Sequence, residues 1–323
     1  MQVPGHPADE QQRLAELHSL NILDTPAEER FDRITRIAKA LFQVPIAQVS
    51  LVDSQRQWFK SCTGLPVTET SREVSYCGHA ILYDDVFVIE DSHKDQRFSD
   101  NPMVLGSPHI RFYAGAQLTM PSGHTLGTLC LVDDVPRTFT QEQRSLLKDL
   151  AAIVIQELSA HQAATQDQLT RVLNRRGFEL LAEKALASSR RYQWPCALIY
   201  MDLNDFKQVN DNHGHQAGDK ALKAFAQLVA ALTRESDIFA RLSGDEFVVM
   251  MMNADHNRAE QKVSNIRQAL TQWNGEKHLP FELSVSFGVV CYQPDRHQSL
   301  AELMHAGDQQ MYRHKQAFRH KSA

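Results

Sequence analysis

The sequence has few cysteines, no long apolar run and no excess of positive charge, and each of these absences excludes a class of protein. Its five cysteines are scattered over 323 residues without a CxxC pair. This argues against a disulfide framework and fits a reducing cytoplasm. No apolar run approaches the roughly 20 residues that span a bilayer, so no membrane association is expected. The formal net charge of −5 argues against a general nucleic-acid binder.

What remains is the composition of a soluble globular protein. Hydrophobic residues make up 42% of the chain and charged residues 23%, which is usual for folds with a sizeable core. Residues 1–6 lack the basic and apolar regions of a signal peptide, so we expect a cytoplasmic protein. A length of 323 residues predicts two domains of ordinary size.

The first half of the sequence predicts an α+β unit built on an antiparallel sheet. Residues 25–28 have the pattern of a capping box with proline at the first helical position, and apolar residues at helical spacing follow. Five short segments then predict strands, at residues 46–52, 57–62, 86–89, 110–118 and 126–132. A Pro-Ser-Gly-His turn at 121–124 predicts that the last two form a hairpin.

A long helical pattern begins at Thr140. Leu147, Ala151, Val154 and Leu158 share one face, and no proline interrupts the pattern. This apolar face covers only about two heptads, and a pattern of that length is compatible with two structures. One is a stalk that forms a dimeric coiled coil between two domains. The other is a helix packed on its own domain.

The second half alternates helices with strands and contains no internal repeat. Its predicted helices are residues 178–191, 220–233, 256–273 and 300–315. Its predicted strands are residues 197–203, 238–242, 247–252 and 281–292. This order favours an α/β sandwich with a mostly antiparallel sheet.

Two adjacent carboxylates stand on a tight turn in the second half. Asp245 and Glu246 follow Gly244, and apolar runs on both sides predict a β-hairpin with the carboxylates at its tip. Two such carboxylates repel each other, and a divalent cation would relieve the repulsion. Asp202 ends another apolar strand, and polar residues crowd the segment 202–219 after it. Together these features indicate a site for a divalent metal and phosphates.

Five motifs in sequence order carry a resemblance. They lie at residues 167–176, 202–219, 240–247, 284–289 and 308–315. With them, residues 165–323 resemble the GGDEF domain of diguanylate cyclases almost from end to end. The resemblance implies a palm-like fold related to nucleotidyl cyclases and polymerases. It also implies condensation of two GTP molecules into cyclic di-GMP and two pyrophosphates.

The resemblance implies a role for each acidic residue. Asp202, the backbone carbonyl of Leu203, Asp245 and Glu246 would hold Mg²⁺ or Mn²⁺. Divalent ions neutralise charge on phosphate oxygens and acidify an attacking hydroxyl. Asp245 and Glu246 are therefore the catalytic candidates, together with Lys207. Glu246 is either a metal ligand or the base for the 3′-hydroxyl, and the division of roles between Asp245 and Glu246 stays open.

The substrate-binding candidates follow from the same resemblance. Asn210 and Asp219 are assigned to the guanine edge with His215 close by, and Phe206 is a further substrate-binding candidate. The triphosphate side is assigned Lys207, Gly244, Lys315 and Arg319. An acidic acceptor facing N1 and N2 of guanine disfavours adenine, because adenine would leave a buried polar contact unpaired. Glycine lets the backbone approach the phosphates without a Cβ clash.

The sequence departs from the family pattern at two positions. Ser243 replaces the first glycine of the signature, and if that position needs a positive φ, serine costs about 1 kcal/mol. Phe318 replaces the glycine of a C-terminal Gly-Arg-Asn, of which Arg319 is retained. The His-Gly-His at 213–215 is interpreted as a turn and not as a transition-metal site.

An RxxD motif, Arg234 to Asp237, lies just upstream of the signature. The family places its product-inhibition site at this spacing. Arginine offers a bidentate fork to phosphate or guanine, and the aspartate can accept hydrogen bonds from the guanine edge. The resemblance therefore implies feedback inhibition by cyclic di-GMP.

The first half carries a second resemblance. Residues 23–32, 75–81 and 126–133 resemble a GAF domain, a six-stranded antiparallel sheet with flanking helices that often serves as a sensor. It implies an unidentified small-molecule effector, and cyclic nucleotide binding or a purely dimerising role stays open. Cys77 and His79 are interpreted as structural, although a redox or cofactor contact stays open as well.

Together these patterns predict an α+β chain in four parts: an extension at 1–24, a GAF domain at 25–140, a helical stalk at 141–165 and a GGDEF domain at 166–323. We expect a homodimer, because each GGDEF domain delivers one GTP, and we expect no nucleic-acid partner. One alternative is a catalytically silent receptor for GTP or cyclic di-GMP, which the retained acidic residues disfavour. Another is a purine cyclase of the related fold, which the guanine-reading pair disfavours.

Overall fold

The computed structural model describes residues 1–234, 236–276 and 278–322, with side chains as far as residue 316. The chain divides into two compact units, Met1–Gln162 and Ala163–Ala323. None of the described helices is both long and apolar enough to cross a membrane.

The first unit is built on a six-stranded antiparallel sheet, which confirms the predicted fold class. The strands are β1 (Ile46–Val52), β2 (Arg56–Thr63), β3 (Glu69–Ser71), β4 (Phe87–Ile89), β5 (Phe112–Thr119) and β6 (Thr125–Asp133). Their order in the sheet is β3-β2-β1-β6-β5-β4. The predicted turn joins β5 to β6, where the Met120 carbonyl accepts a hydrogen bond from the Gly123 amide.

Helices cover both faces of this sheet. They are α1 (Glu10–Ser19), α2 (Glu29–Phe42), α3 (Tyr76–Ala80), α4 (Pro102–Leu105) and α5 (Gln141–Thr165). Apolar side chains of α1, α2 and α5 share one core with the sheet, and α3 and α4 share a second core on the other face. This second core contains Cys77 and Cys130.

Helix α5 packs on its own unit. Leu147, Ala151, Val154 and Leu158 are all buried in the core beneath it. The face that the apolar repeat defines is therefore used inside the first unit. Of the two structures left open for this segment, the helix packed on its own domain is the one observed.

The predicted capping box at 25–28 is wrong. Helix α2 begins at Glu29, and its N-cap residue Glu28 makes no side-chain capping bond. The Thr25 hydroxyl donates instead to the Ile22 carbonyl and accepts a hydrogen bond from Lys60 Nζ. These contacts use the hydroxyl that a cap would need.

The second unit is a four-stranded antiparallel sheet between two layers of helices. Its strands are β7 (Cys196–Leu203), β8 (Ile238–Ser243), β9 (Glu246–Met252) and β10 (Val285–Cys291), in the order β10-β7-β9-β8. Its helices are α6 (Arg175–Tyr192), α7 (Phe206–His213), α8 (His215–Leu232), α9 (His256–Gly275) and α10 (Leu300–Ser322).

The layers explain why β7 is buried along its whole length. Helices α8 and α9 share a core with one face of the sheet, and α6 and α10 share a core with the other. The predicted strand at 281–292 is shorter than expected and begins at Val285. Before it, the Leu283 amide and carbonyl both bond to the Asn274 side chain, which takes the place of strand pairing.

Candidate active site

The turn between β8 and β9 brings two carboxylates to the tip of a hairpin, as the sequence predicts. Gly244 has a φ of +35°, and Ser243 lies opposite Glu246 in the strand register. The positive φ therefore falls on glycine and not on Ser243, so the serine carries none of the anticipated strain. The Ser243 hydroxyl instead donates a 2.5 Å hydrogen bond to Glu246 Oε2.

The end of β7 brings Asp202 to the same edge of the sheet. Asp202 pairs with Glu246 of β9 on one side and with Ser286 of β10 on the other. The next residue, Leu203, donates its amide to the Asp245 carbonyl at 3.2 Å. The register of a buried central strand thus gathers Asp202, Asp245 and Glu246 at one edge.

The charge on Asp202 is only partly balanced. Its side chain is 9% exposed, and Lys315 Nζ of α10 lies 2.5 Å from its Oδ1. Burial raises the pKa of Asp202 and the nearby Asp245 and Glu246 raise it further, while Lys315 lowers it, and the net direction is upward. The pKa of this buried carboxylate is raised even though a lysine contacts it. Its surroundings therefore attract further positive charge.

An ion pair between Asp167 and Arg241, for which the sequence predicted no role, supports the turn at the hairpin tip. The Arg241 guanidinium donates to both oxygens of Asp167, at 3.0 and 3.2 Å, and to the Gly244 carbonyl at 2.8 Å. Thr170 donates to the same carboxylate through its amide and its hydroxyl. Although burial would raise it, these hydrogen bonds lower the pKa of Asp167. Asp167 and Arg241 therefore position the turn.

A second site feature is the packing of α7 against α8, which sequence patterning missed. The chain enters α7 through Asp205, which has a left-handed φ of 53°, and leaves it through Gly214, with a φ of +80°. This confirms that residues 213–215 form a turn. A Cβ added to Gly218 of α8 would lie 2.0 Å from Asn210 Oδ1 and 3.1 Å from Phe206 Cζ. A glycine inside a helical pattern was the available signal.

The predicted site residues differ in their burial and in their distance from the carboxylate edge. Asn210 and Phe206 are half-buried against α8, whereas Lys207, His215 and Asp219 are exposed on α7 and α8. Lys315 reaches the carboxylate edge, as described. Arg319 and Phe318 lie outside the residues whose side chains the structure describes. Within the described residues, no three His, Cys, Asp or Glu side chains converge closely enough to form a metal-binding cluster.

The first and last residues of the RxxD motif, Arg234 and Asp237, bond to each other before β8. Arg234 is exposed, whereas the Asp237 side chain is only 2% exposed. Asp237 Oδ2 accepts from Lys262 Nζ at 3.2 Å and from the Arg234 amide at 3.3 Å. The carboxylate that was expected to meet guanine is thus engaged inside the fold, and Arg234 is the member that faces solvent.

Comparison with known proteins finds one family match in each half of the chain. The family model described as "Diguanylate cyclase, GGDEF domain" matches residues 164–321, and the GAF domain model matches residues 26–158. A solved GGDEF domain of TpbB from Pseudomonas aeruginosa is 32% identical, and the match covers 47% of this chain and 89% of that domain, with a TM-score of 0.43. Residues 164–321 belong to the GGDEF family. A GAF domain precedes them.

Two curated relatives of this protein are named for different activities. A cyclic di-GMP phosphodiesterase of P. aeruginosa is 40% identical over 177 residues, which are 54% of this chain and 30% of that protein. The probable diguanylate cyclase DgcE of Escherichia coli is 30% identical over 207 residues, 63% of this chain and 17% of that protein. The chain spans less than a third of the length of either relative, so the activity of this chain has to be argued from its own site.

Proposed function

We propose that this chain is a diguanylate cyclase that joins two GTP molecules into cyclic di-GMP and releases two pyrophosphates. One observation carries the proposal: Asp202, Asp245 and Glu246 lie at the same edge of the sheet, through strand register and backbone pairing, in a domain of the GGDEF family. Phosphoryl and nucleotidyl transfer depend mainly on positioning and on neutralising charge, which such an edge can provide. The α7–α8 packing next to it supplies the half-buried polar residue Asn210.

A divalent cation fits this edge. The donors are all oxygens, which Mg²⁺ and Mn²⁺ prefer, and Mg²⁺ commonly uses one or two carboxylates together with substrate phosphates. Burial, together with the neighbouring Asp245 and Glu246, raises the pKa of Asp202 despite Lys315, and a bound cation would offset that cost. Asp202, the Leu203 carbonyl and Asp245 would hold the ion, and Glu246 would stand beside it as the base. When bound, it would polarise the phosphate and acidify the 3′-hydroxyl.

The residues of the hairpin tip then have distinct tasks. Glu246 accepts the proton of the attacking 3′-hydroxyl, and the Ser243 hydroxyl orients its carboxylate by donating to Oε2. Gly244 lets the turn approach the phosphates, since nothing in the fold lies within 4 Å of where its Cβ would be. Lys207, Lys315 and Arg319 neutralise the triphosphate.

The guanine base is read by α7 and α8. Asn210 and Asp219 present hydrogen-bonding groups to its edge, with Phe206 and His215 beside them. Since Gly218 leaves room for Asn210, the position of the amide depends on the absence of a Cβ on α8.

Replacing that glycine gives a specific prediction. Gly218→Ala is expected to raise the KM for GTP about tenfold or more, because Asn210 must turn away and one hydrogen bond to the base is lost. The free energy of unfolding should change little. The gain in helix propensity of up to about 1 kcal/mol offsets part of an overpacking cost of about 1–3 kcal/mol. Initial rates over a range of GTP concentrations measure this.

Gly275→Ala is the matched control. An added Cβ at Gly275 meets nothing within 4 Å, so its KM should equal that of the wild type. An unchanged KM in Gly218→Ala would remove Asn210 from the guanine site.

The reaction requires two GTP molecules facing each other, and one GGDEF domain binds one of them. The active form is therefore a homodimer. Incubation of the purified protein with GTP and Mg²⁺, followed by chromatography, tests the activity. Cyclic di-GMP as product supports the proposal. Tight binding of cyclic di-GMP without turnover would favour a silent receptor.

Product inhibition through Arg234 is the regulatory part of the proposal. The exposed guanidinium can bind a phosphate or the guanine edge of cyclic di-GMP, while the Lys262–Asp237 pair holds the turn that presents it. Arg234→Ala should weaken inhibition by cyclic di-GMP about 10- to 100-fold, since a charged hydrogen bond is worth about 1.5–3 kcal/mol. The ratio of initial rates with and without added product measures this.

Lys223→Ala, which removes one exposed positive charge from α8, should keep the wild-type inhibition curve. If Arg234→Ala also keeps it, the RxxD assignment fails.

A further inference from the structure

The proposed cyclase chemistry makes no use of two buried thiols in the GAF domain. Cys77 lies on the short helix α3, and Cys130 lies on β6 in the middle of the sheet. Their side chains are 1% and 0% exposed, and their sulfur atoms are 3.6 Å apart. Both are free thiols. Two sulfurs at this separation need only a small approach to reach a disulfide bond length of about 2.05 Å.

Polar groups surround this pair and distinguish its two members. The Tyr113 hydroxyl donates to Cys77 Sγ at 3.2 Å, and Gln48 Oε1 lies 3.6 Å from Cys130 Sγ. Although burial raises it, hydrogen bonds led by the one with Cys130 bring the pKa of Cys77 down to about 7. The contact with Cys77, followed by burial, raises the pKa of Cys130 well above its ordinary value. Of the two thiols, Cys77 is the one with the lower pKa, and it also lines the cavity described next.

A cavity gives small molecules access to Cys77. It has a volume of about 210 Å³ and is lined by Cys77, Tyr76 and Tyr113 on the inside. Val67, which is 39% exposed, and the exposed Ser107 also line it, so the cavity reaches the surface. Among the described residues that line it, none carries a charged side chain. A small neutral molecule can therefore enter, whereas a phosphate would lose its counter-charges.

The hydroxyl of Thr70 adds a group without a partner. It lines the same cavity, its oxygen is buried, and it makes no hydrogen bond in the fold. Buried hydroxyl groups usually have a partner, and a neutral polar molecule in the cavity would supply one. The cavity is thus suited to a small, uncharged, hydrogen-bonding molecule next to a reactive sulfur.

We propose that Cys77 and Cys130 form a modification site at which a small neutral hydroperoxide produces an intramolecular disulfide. The Cys77 sulfur attacks the outer peroxide oxygen, the O–O bond breaks, and the thiol proton leaves with the departing oxygen as water or alcohol. Cys77 is then a sulfenic acid. The Cys130 sulfur attacks Cys77 Sγ and expels water. Two thiols are oxidised by two electrons, and one peroxide is reduced.

Helix α3 is the element expected to move when the disulfide forms. Cys130 is held in β6 between β1 and β5, whereas α3 is only five residues long. Closing the sulfur–sulfur distance therefore draws α3 toward the sheet and alters the cavity that it lines. This gives the GAF domain an oxidised and a reduced form.

Peptide mapping of the wild-type protein tests the proposal. The full chain is treated with a few equivalents of hydrogen peroxide, quenched, alkylated with N-ethylmaleimide in denaturant and digested without reduction. The expected result is a linked peptide pair that contains Cys77 and Cys130, 2 Da lighter than the two reduced peptides together, and that dithiothreitol separates. Recovery of both as alkylated thiols at a dose that oxidises other cysteines would overturn the proposal.

The chain contains its own comparison pair. Cys196 and Cys291 lie on the neighbouring strands β7 and β10 of the GGDEF domain, and burial raises the pKa of both thiols. They should stay reduced at the same peroxide dose. Equal oxidation of the two pairs would mean that the environment of Cys77 has no special role.

A variant set locates the first step. With Cys62, Cys196 and Cys291 all replaced by serine, the disulfide should still form. Adding Cys130→Ser to that background should stop the reaction at a sulfenic acid on Cys77, which dimedone traps as a stable adduct. A disulfide between two chains, or no dimedone adduct on Cys77, would contradict the assignment. Neither readout depends on cyclase activity.

Discussion

Glu246→Gln is expected to lower the rate of cyclic di-GMP formation by about 10²- to 10⁴-fold, which is the usual contribution of a positioned general base. Glu246 lies opposite Asp202 in the strand register, and its side chain accepts from the Ser243 hydroxyl. A glutamine carbonyl can accept the same hydrogen bond, so the local geometry should survive. Only the capacity to take a proton and the negative charge are lost. Turnover by chromatography and thermal unfolding by circular dichroism measure the two properties separately.

Glu183→Gln provides the matched control, because Glu183 is an exposed glutamate of α6 in the same unit. It should keep the wild-type rate and melting temperature. A Glu246→Gln rate within about threefold of the wild type would show that Glu246 is not the base.

Asp202→Asn is expected to abolish most activity without reducing stability. The raised pKa of Asp202 means that the folded state binds its proton more tightly than the unfolded chain does. Wild-type stability therefore falls as pH rises from the unfolded value of 3.8 through the raised folded-state pKa, and the penalty persists at neutral pH. Asparagine carries no charge and removes the penalty, although Lys315 loses its partner. Turnover falls because the buried metal-ligand position loses its charge.

Denaturant unfolding at pH 4 and pH 7 measures this effect. The advantage of Asp202→Asn over the wild type should be larger at pH 7, where the wild-type carboxylate is ionised. Asp295→Asn removes an exposed carboxylate of the same unit and should match the wild type at both pH values. A clear loss of stability in Asp202→Asn at pH 7, or retained turnover, would contradict the assigned role.

Two parts of the site could be predicted from patterns of a few neighbouring residues. The apolar strand that ends at Asp202 and the glycine turn before Glu246 are both encoded within a few residues, and both are present in the structure. Glycine also permits the positive φ observed at Gly244, which the sequence did not predict. The assignment of roles within the site came from the resemblance to the GGDEF family, because spacing alone does not distinguish a base from a ligand.

Other features could not be predicted because they depend on contacts between distant segments. Helix α7 is missed since it buries no residue fully, and its position is set by packing against α8. The Asp167–Arg241 clamp joins residues 74 positions apart. The Asp237–Lys262 pair similarly converts an expected ligand-facing carboxylate into an internal one. The apolar stripe of α5 fits a coiled coil and a core equally well, and only the tertiary structure distinguishes them.

The stoichiometry of the reaction tests the proposed cyclase activity most directly. Pyrophosphate and cyclic di-GMP are measured in the same reaction of the purified chain with GTP and Mg²⁺, alongside Glu246→Gln. We expect two pyrophosphates for each cyclic di-GMP in the wild type, and both products to form at least about 100-fold more slowly in the variant. Pyrophosphate or phosphate release without cyclic di-GMP, or equal rates in the two proteins, would contradict it.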